Sequence, residues 1–75
     1  MRDIIIIGAG SVGVHVALNF KDYLEGYNLL GFLDDDATKI GNAIFNFPVL
    51  GKVDDIFQDK FKNLAIIIGI AFQYI

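Results

Sequence analysis

Two runs of residues in this chain have the types and spacing to hold a charged ligand. They are Gly8-Ala9-Gly10-Ser11-Val12-Gly13 and the three consecutive carboxylates Asp34, Asp35 and Asp36. The first has the G-x-G-x-x-G spacing of a phosphate-binding turn between a strand and a helix. In that setting Gly8 turns the chain sharply off the strand. Gly10 lets a phosphate approach a backbone that has no Cβ, and Gly13 lets the helix pack close to the sheet. The free amides at the helix start and the positive end of its dipole then face the anion, and Ser11 adds a hydroxyl donor. The same spacing also serves as a tight strand-to-helix turn with no ligand at all.

Asp34 stands 21 residues after Gly13, where dinucleotide-binding folds put a carboxylate against ribose hydroxyls. Asp35 and Asp36 exceed what that role needs. The competing reading is a solvated loop in which one aspartate caps the turn at Ala37, so at least one of the three is expected to touch ligand and at least one is not. A metal site built on adjacent aspartates stays open but without support, because octahedral oxygen sites need ligands converging from elsewhere. With no cysteine and a single histidine, His15, a thiolate or zinc site is excluded. His15, one helical turn past Ser11 and beside the glycine loop, has two readings, a contact to ligand or partner subunit and the commoner helix-surface histidine. Asp54-Asp55 reads as dipole compensation at a helix start. No Ser-His-Asp set or Cys-His pair exists, so no catalytic residue and no metal ligand are expected.

The elements that must position these residues read as an α/β domain. Asp3 to Ile7 is β-branched and apolar on both faces, the pattern of a central parallel strand. From Ser11, as N-cap, the period changes: Val12, Val16, Phe20 and Leu24, with Ala17 beside them, mark one face of a helix that Gly26 ends as its C′ glycine. Tyr27–Leu33 is a second strand, delivering the aspartates at its carboxyl end. Ala37–Asn42 is a turn or a single helical turn. Ile44–Leu50 is short and extended, with Pro48 arguing against a central strand. Val53–Phe61 carries Val53, Ile56, Phe57 and Phe61 at helical spacing, and Leu64–Ile70 is a further buried strand. This order predicts a Rossmann-like three-layer domain with a short parallel sheet, Asp3–Ile7 lying between the other two buried strands. Most phenylalanines are expected in the core, with Phe45 and Phe47 at an edge.

At 75 residues the chain is one domain at most and can bury only about 60% of its unfolded surface. Yet 55% of its residues are hydrophobic and the mean hydropathy is +0.54, which implies apolar surface meant to be covered. The apolar run from Leu64 to Ile75 reaches the end of the chain without a cap, so a truncated piece of a longer protein is expected. A net charge of −3, with scattered basic residues, argues against a nucleic-acid partner. No apolar run approaches the roughly 18 residues of a membrane span. Asp3 interrupts what would otherwise begin like a signal peptide, so a cytoplasmic protein is expected.

Taken in order, Ile4–Gly10, Gly31-Phe-Leu-Asp-Asp-Asp36, Pro48-Val-Leu-Gly51 with Asp54-Asp55-Ile56, and Ile66-Ile-Ile-Gly69 resemble the N-terminal domain of bacterial sugar O- and N-acyltransferases of the sialic acid acetyltransferase and PglD type. The resemblance covers nearly the whole chain. It implies a domain that binds the UDP or other nucleotide part of a nucleotide-sugar, with Gly8, Gly10, Ser11, Asp34, Asp35 and Gly69 on the nucleotide side. It further implies a C-terminal left-handed β-helix, outside these residues, that binds acetyl-CoA, forms a homotrimer and carries the catalytic histidine. No cofactor is expected on the N-terminal domain itself. One departure is Val12, which stands where such domains often have a histidine. Two alternatives are the nucleotide-binding domain of polysaccharide-biosynthesis epimerase/dehydratases and an NAD-sensing regulatory module such as those of potassium-uptake regulators.

Overall fold

The computed structural model describes residues 2–19 and 25–69. In chain order its elements are β1 (Arg2–Ile7), α1 (Ser11–Leu18), β2 (Tyr27–Leu33), β3 (Ala43–Ile44), β4 (Phe47–Gly51), two short 3₁₀ turns (Val53–Phe57 and Asp59–Phe61) and β5 (Ala65–Ile68). The strands form one sheet in the order β3-β4-β2-β1-β5. β1 pairs in parallel with both β2 and β5, β2 pairs in parallel with β4, and only the two-residue β3 runs antiparallel. The expected central position of the first strand is therefore observed, and the domain is α/β and Rossmann-like.

The four consecutive isoleucines explain why β1 is central. Strand alternation sends Ile4 and Ile6 to one face of the sheet and Ile5 and Ile7 to the other, and all four are buried. Ile4 and Ile6 pack with Ala9, Ala17, Leu29, Phe32 and Val49 on the α1 side. Ile5 and Ile7 pack with Leu33 and Phe61 on the other side, joined by Val53, Ile56 and Leu64. The fold thus has three layers, with 3₁₀ turns in place of a helix on the second face.

Several expectations are corrected. Val53–Phe61 is not one helix: it is broken at Gln58, whose backbone is extended (φ −71, ψ 150). Val, Phe and Asp are indifferent helix formers, and a nine-residue segment is too short to hold a helix on propensity alone. A period of three also serves the packing better, since it stacks Val53 over Ile56 and leaves Phe57 outside, 85% exposed. Phe57 is thus an exception to the expectation that the phenylalanines are mostly core. The extended piece expected at Ile44–Leu50 is instead a hairpin. Phe45 (φ 49) and Asn46 (φ 69) form the two-residue loop between paired Ile44 and Phe47, and positive φ at both loop positions is what a type I′ turn requires. Pro48 lies in β4 but opposite the two-residue β3, while the ladder to β2 starts at Val49.

Helix α1 also differs from expectation. Gly10, not Ser11, is its N-cap, and no side chain caps it. Its buried positions are Gly13 and Ala17, with Val16 packed beside them, whereas Val12 is exposed. Small residues face the sheet because the helix lies against it closely. Phe20, Tyr23, Leu24, Ile70 and Phe72 lie outside the described residues. Replacing Ile6 by Ala should cost about 2–5 kcal/mol through lost burial and a cavity, whereas Phe57→Ser should change stability by less than about 0.5 kcal/mol; urea denaturation of both variants measures the contrast.

Candidate functional site

The candidate site is built at the carboxyl edge of the sheet, where backbone hydrogen bonds continue past the ends of the strands. Gly69 N–H donates to the Ile7 carbonyl at 2.7 Å, Gly8 N–H to the Leu33 carbonyl at 2.7 Å, and Asp34 N–H to the Gly51 carbonyl at 2.9 Å. These bonds set Gly69, Gly8 and Asp34 in a row along one edge. Gly8 then leaves β1 at φ +101, a conformation open to glycine and costly for other residues. The turn ends where Val14 N–H donates to the Gly10 carbonyl at 2.9 Å, the first bond of α1.

The glycines of the motif divide by task. A Cβ on Gly13 would collide with the Gly8 carbonyl, and one on Gly69 would lie 2.7 Å from the Gly13 Cα. Both are buried and bring α1, β1 and β5 into backbone contact. Gly10 is the opposite case. Its φ of −85 suits any residue, and a Cβ there would meet nothing within 4 Å. The fold does not require glycine at position 10, and the space beside its backbone is open.

Asp34 grips the turn. Its Oδ2 accepts the Ala9 N–H at 2.7 Å, and its Oδ1 accepts the Asp36 N–H at 2.8 Å. A carboxylate has about four lone-pair directions, so both oxygens keep capacity for further donors. From the same loop, Lys39 Nζ donates to the Ala9 carbonyl at 3.2 Å. The peptide groups of Ala9 are thereby held by an acid on one side and a base on the other. Spacing alone marks neither Ala9 nor Lys39, since these contacts join residues far apart in the chain.

Three further aspartates, Asp35, Asp36 and Asp55, have structural partners. Asp35 Oδ1 accepts the Val53 N–H at 3.0 Å and fastens the start of the first 3₁₀ turn. Asp55 Oδ2 accepts the Lys52 N–H at 2.9 Å. Asp36 Oδ1 accepts both the Thr38 hydroxyl, at 2.7 Å, and the Thr38 N–H, at 3.0 Å; it is the aspartate that caps the turn after Ala37. These two bonds, the hydroxyl first, hold the Asp36 carboxyl below its ordinary pKa, with help from the Lys39 charge. Gly8, Gly10, Ser11 and Asp34 are thus brought together, Gly13 and Gly69 support them from beneath, and Asp35 is tied to another element. His15 and Ser11 are exposed on α1. Among the described residues, no three His, Asp or Glu side chains gather as a metal site, and no helix is long and apolar enough to cross a membrane.

Comparison with known proteins adds two findings. The family model described as the PglD N-terminal domain matches residues 3–73. The chain is also similar to the redox-sensing transcriptional repressor Rex of Thermosipho africanus, with 31% identity over 68 residues, covering 87% of this chain and 32% of that protein. It therefore spans about a third of that relative's length.

Three outcomes follow from this geometry. Gly13→Ala should destabilise the fold by about 1–3 kcal/mol through overpacking. Gly10→Ala should stay within about 1 kcal/mol of wild type, since reduced unfolded-state entropy offsets a poorer N-cap; urea midpoints measure both. Thr38→Val should raise the Asp36 pKa toward its ordinary value in an NMR titration. Because the folded pKa is depressed, the stabilisation it carries is fully present above the unfolded value (about 3.9). That stabilisation is lost as pH falls through the lower folded value.

Proposed function

Because the chain belongs to the PglD N-terminal domain family, we propose that it is the part of a bacterial sugar acetyltransferase that binds a nucleotide-sugar. The observation that carries this reading is Gly10. It lies between a sharp turn and a helix start, needs no special backbone conformation, and would meet nothing if it had a side chain. Leaving it bare serves a ligand better than it serves the fold. The amides of Ser11, Val12 and Gly13 precede the first helical bond of α1 and are free to donate to a phosphate, aided by the helix dipole.

In this reading the diphosphate of a UDP-sugar lies over Gly10 and Ser11, and Asp34 accepts ribose hydroxyls with its remaining lone pairs. Gly8 supplies the turn, while Gly13 and Gly69 keep the helix against the sheet. Asp35 acts through the loop it fastens to Val53. No residue of this domain does bond-making chemistry. Acetyl transfer belongs to a C-terminal left-handed β-helix with its own histidine and acetyl-CoA, assembled as a trimer in the cytoplasm and serving surface-glycan synthesis.

A second reading, an NAD-sensing regulatory module, is favoured by the 31% identity to a redox-sensing repressor. Both readings use the glycine turn, so ligand choice separates them. Titration calorimetry of the full-length protein should show a UDP-sugar binding more tightly than NAD, and the reverse order would favour the sensor. Gly10→Val should remove most nucleotide affinity while the circular dichroism spectrum stays that of wild type; undiminished binding would reduce the turn to a structural device.

A further inference from the structure

We infer that Lys39 is the cation that receives the ligand's diphosphate, an assignment that rests on the nucleotide-site reading above. The reason is charge. Asp34 is hydrogen-bonded to the glycine turn at the Ala9 N–H, so a diphosphate brought to that turn meets its carboxylate at close range, with Asp35 and Asp36 next in the chain. Like charges oppose binding unless a cation stands between them. Among the described residues, Lys39 is the cation whose ammonium is hydrogen-bonded to the glycine turn, at the Ala9 carbonyl. Arg2 begins β1, at the opposite end of that strand. Lys52 is the N-cap of the first 3₁₀ turn and, among the described residues, has no hydrogen bond to the glycine turn. Lys60 lies within the second 3₁₀ turn and Lys62 follows it, paired with Asp59.

The ammonium is also available. A lysine has three donors, and Ala9 takes one of them. Among the described residues Lys39 makes no salt bridge, and its charge acts on the Asp36 carboxylate only through space. The side chain is half-buried and its head is held by a turn carbonyl, which removes much of the conformational freedom a surface lysine would lose on binding. A compact ammonium in this position suits a phosphate as a point charge. The same bond makes Lys39 a second link, beside Asp34, between the loop after β2 and the turn after β1.

The experiment is titration calorimetry of the full-length protein with UDP and with uridine, which lacks the diphosphate. Wild type is compared with Lys39→Met and Lys39→Arg. A lost charge-assisted contact predicts UDP binding weaker by about 10- to 100-fold in Lys39→Met, with uridine binding unchanged and most of the UDP affinity kept in Lys39→Arg. Wild-type UDP affinity in Lys39→Met, or equal weakening of UDP and uridine, overturns the inference, because the lysine then only braces Ala9. If wild type binds neither compound, the nucleotide-site reading falls and this assignment falls with it. Retention of UDP binding by wild type with no effect of Lys39→Met sinks the lysine assignment alone.

Discussion

The structure depends on one close approach, that of the Gly13 backbone to the Gly8 carbonyl and to Gly69. The end of β1, the start of α1 and, from far along the chain, the end of β5 meet there without an intervening side chain. The approach presses α1 onto β1, which is why Gly13 and Ala17 rather than Val12 form the buried face of the helix. It also seats the end of β5 beneath the start of the helix, so that the exposed Gly10–Ser11 segment has a rigid floor. A methyl group at either buried glycine would lift the helix and the turn together.

On that floor, Asp34 and Lys39 fix the turn from above. Their bonds to the N–H and the carbonyl of Ala9 leave the turn little freedom, although Ala9 is not itself a motif residue. The acidic run is best understood as three separate tasks. Asp34 restrains the glycine turn, Asp35 fastens the first 3₁₀ turn, and Asp36 closes its own loop. A triple carboxylate that looks like a single ligand site in one dimension is therefore distributed over three contacts in the fold.

What the sequence revealed was what local patterning encodes. The isoleucine run of β1, the run of β2 and the glycine spacing between strand and helix each announce themselves within a few residues, and their order implies the sheet order. Val53–Phe61 misled because its apolar spacing satisfies periods of three and of four, and only packing against Ile5, Ile7 and Leu33 decides between them. The hairpin at Phe45-Asn46 was hidden because phenylalanine at positive φ violates turn preferences, so no propensity signals it. Lys39 was illegible for a different reason. Its partner is a backbone carbonyl of the turn after β1, and backbone groups carry no sequence signature.

The central place of β1 has a consequence for how the chain reaches this state. β1 is made first, yet its partners come late: Ile4 pairs with Leu29 on one side and with Ala65 on the other. At roughly 5–20 residues per second, the second partner leaves the ribosome on the order of 3–12 s after the first strand. For that interval the most apolar segment of the sheet has an open edge, and parallel pairing over such a distance is intrinsically slow.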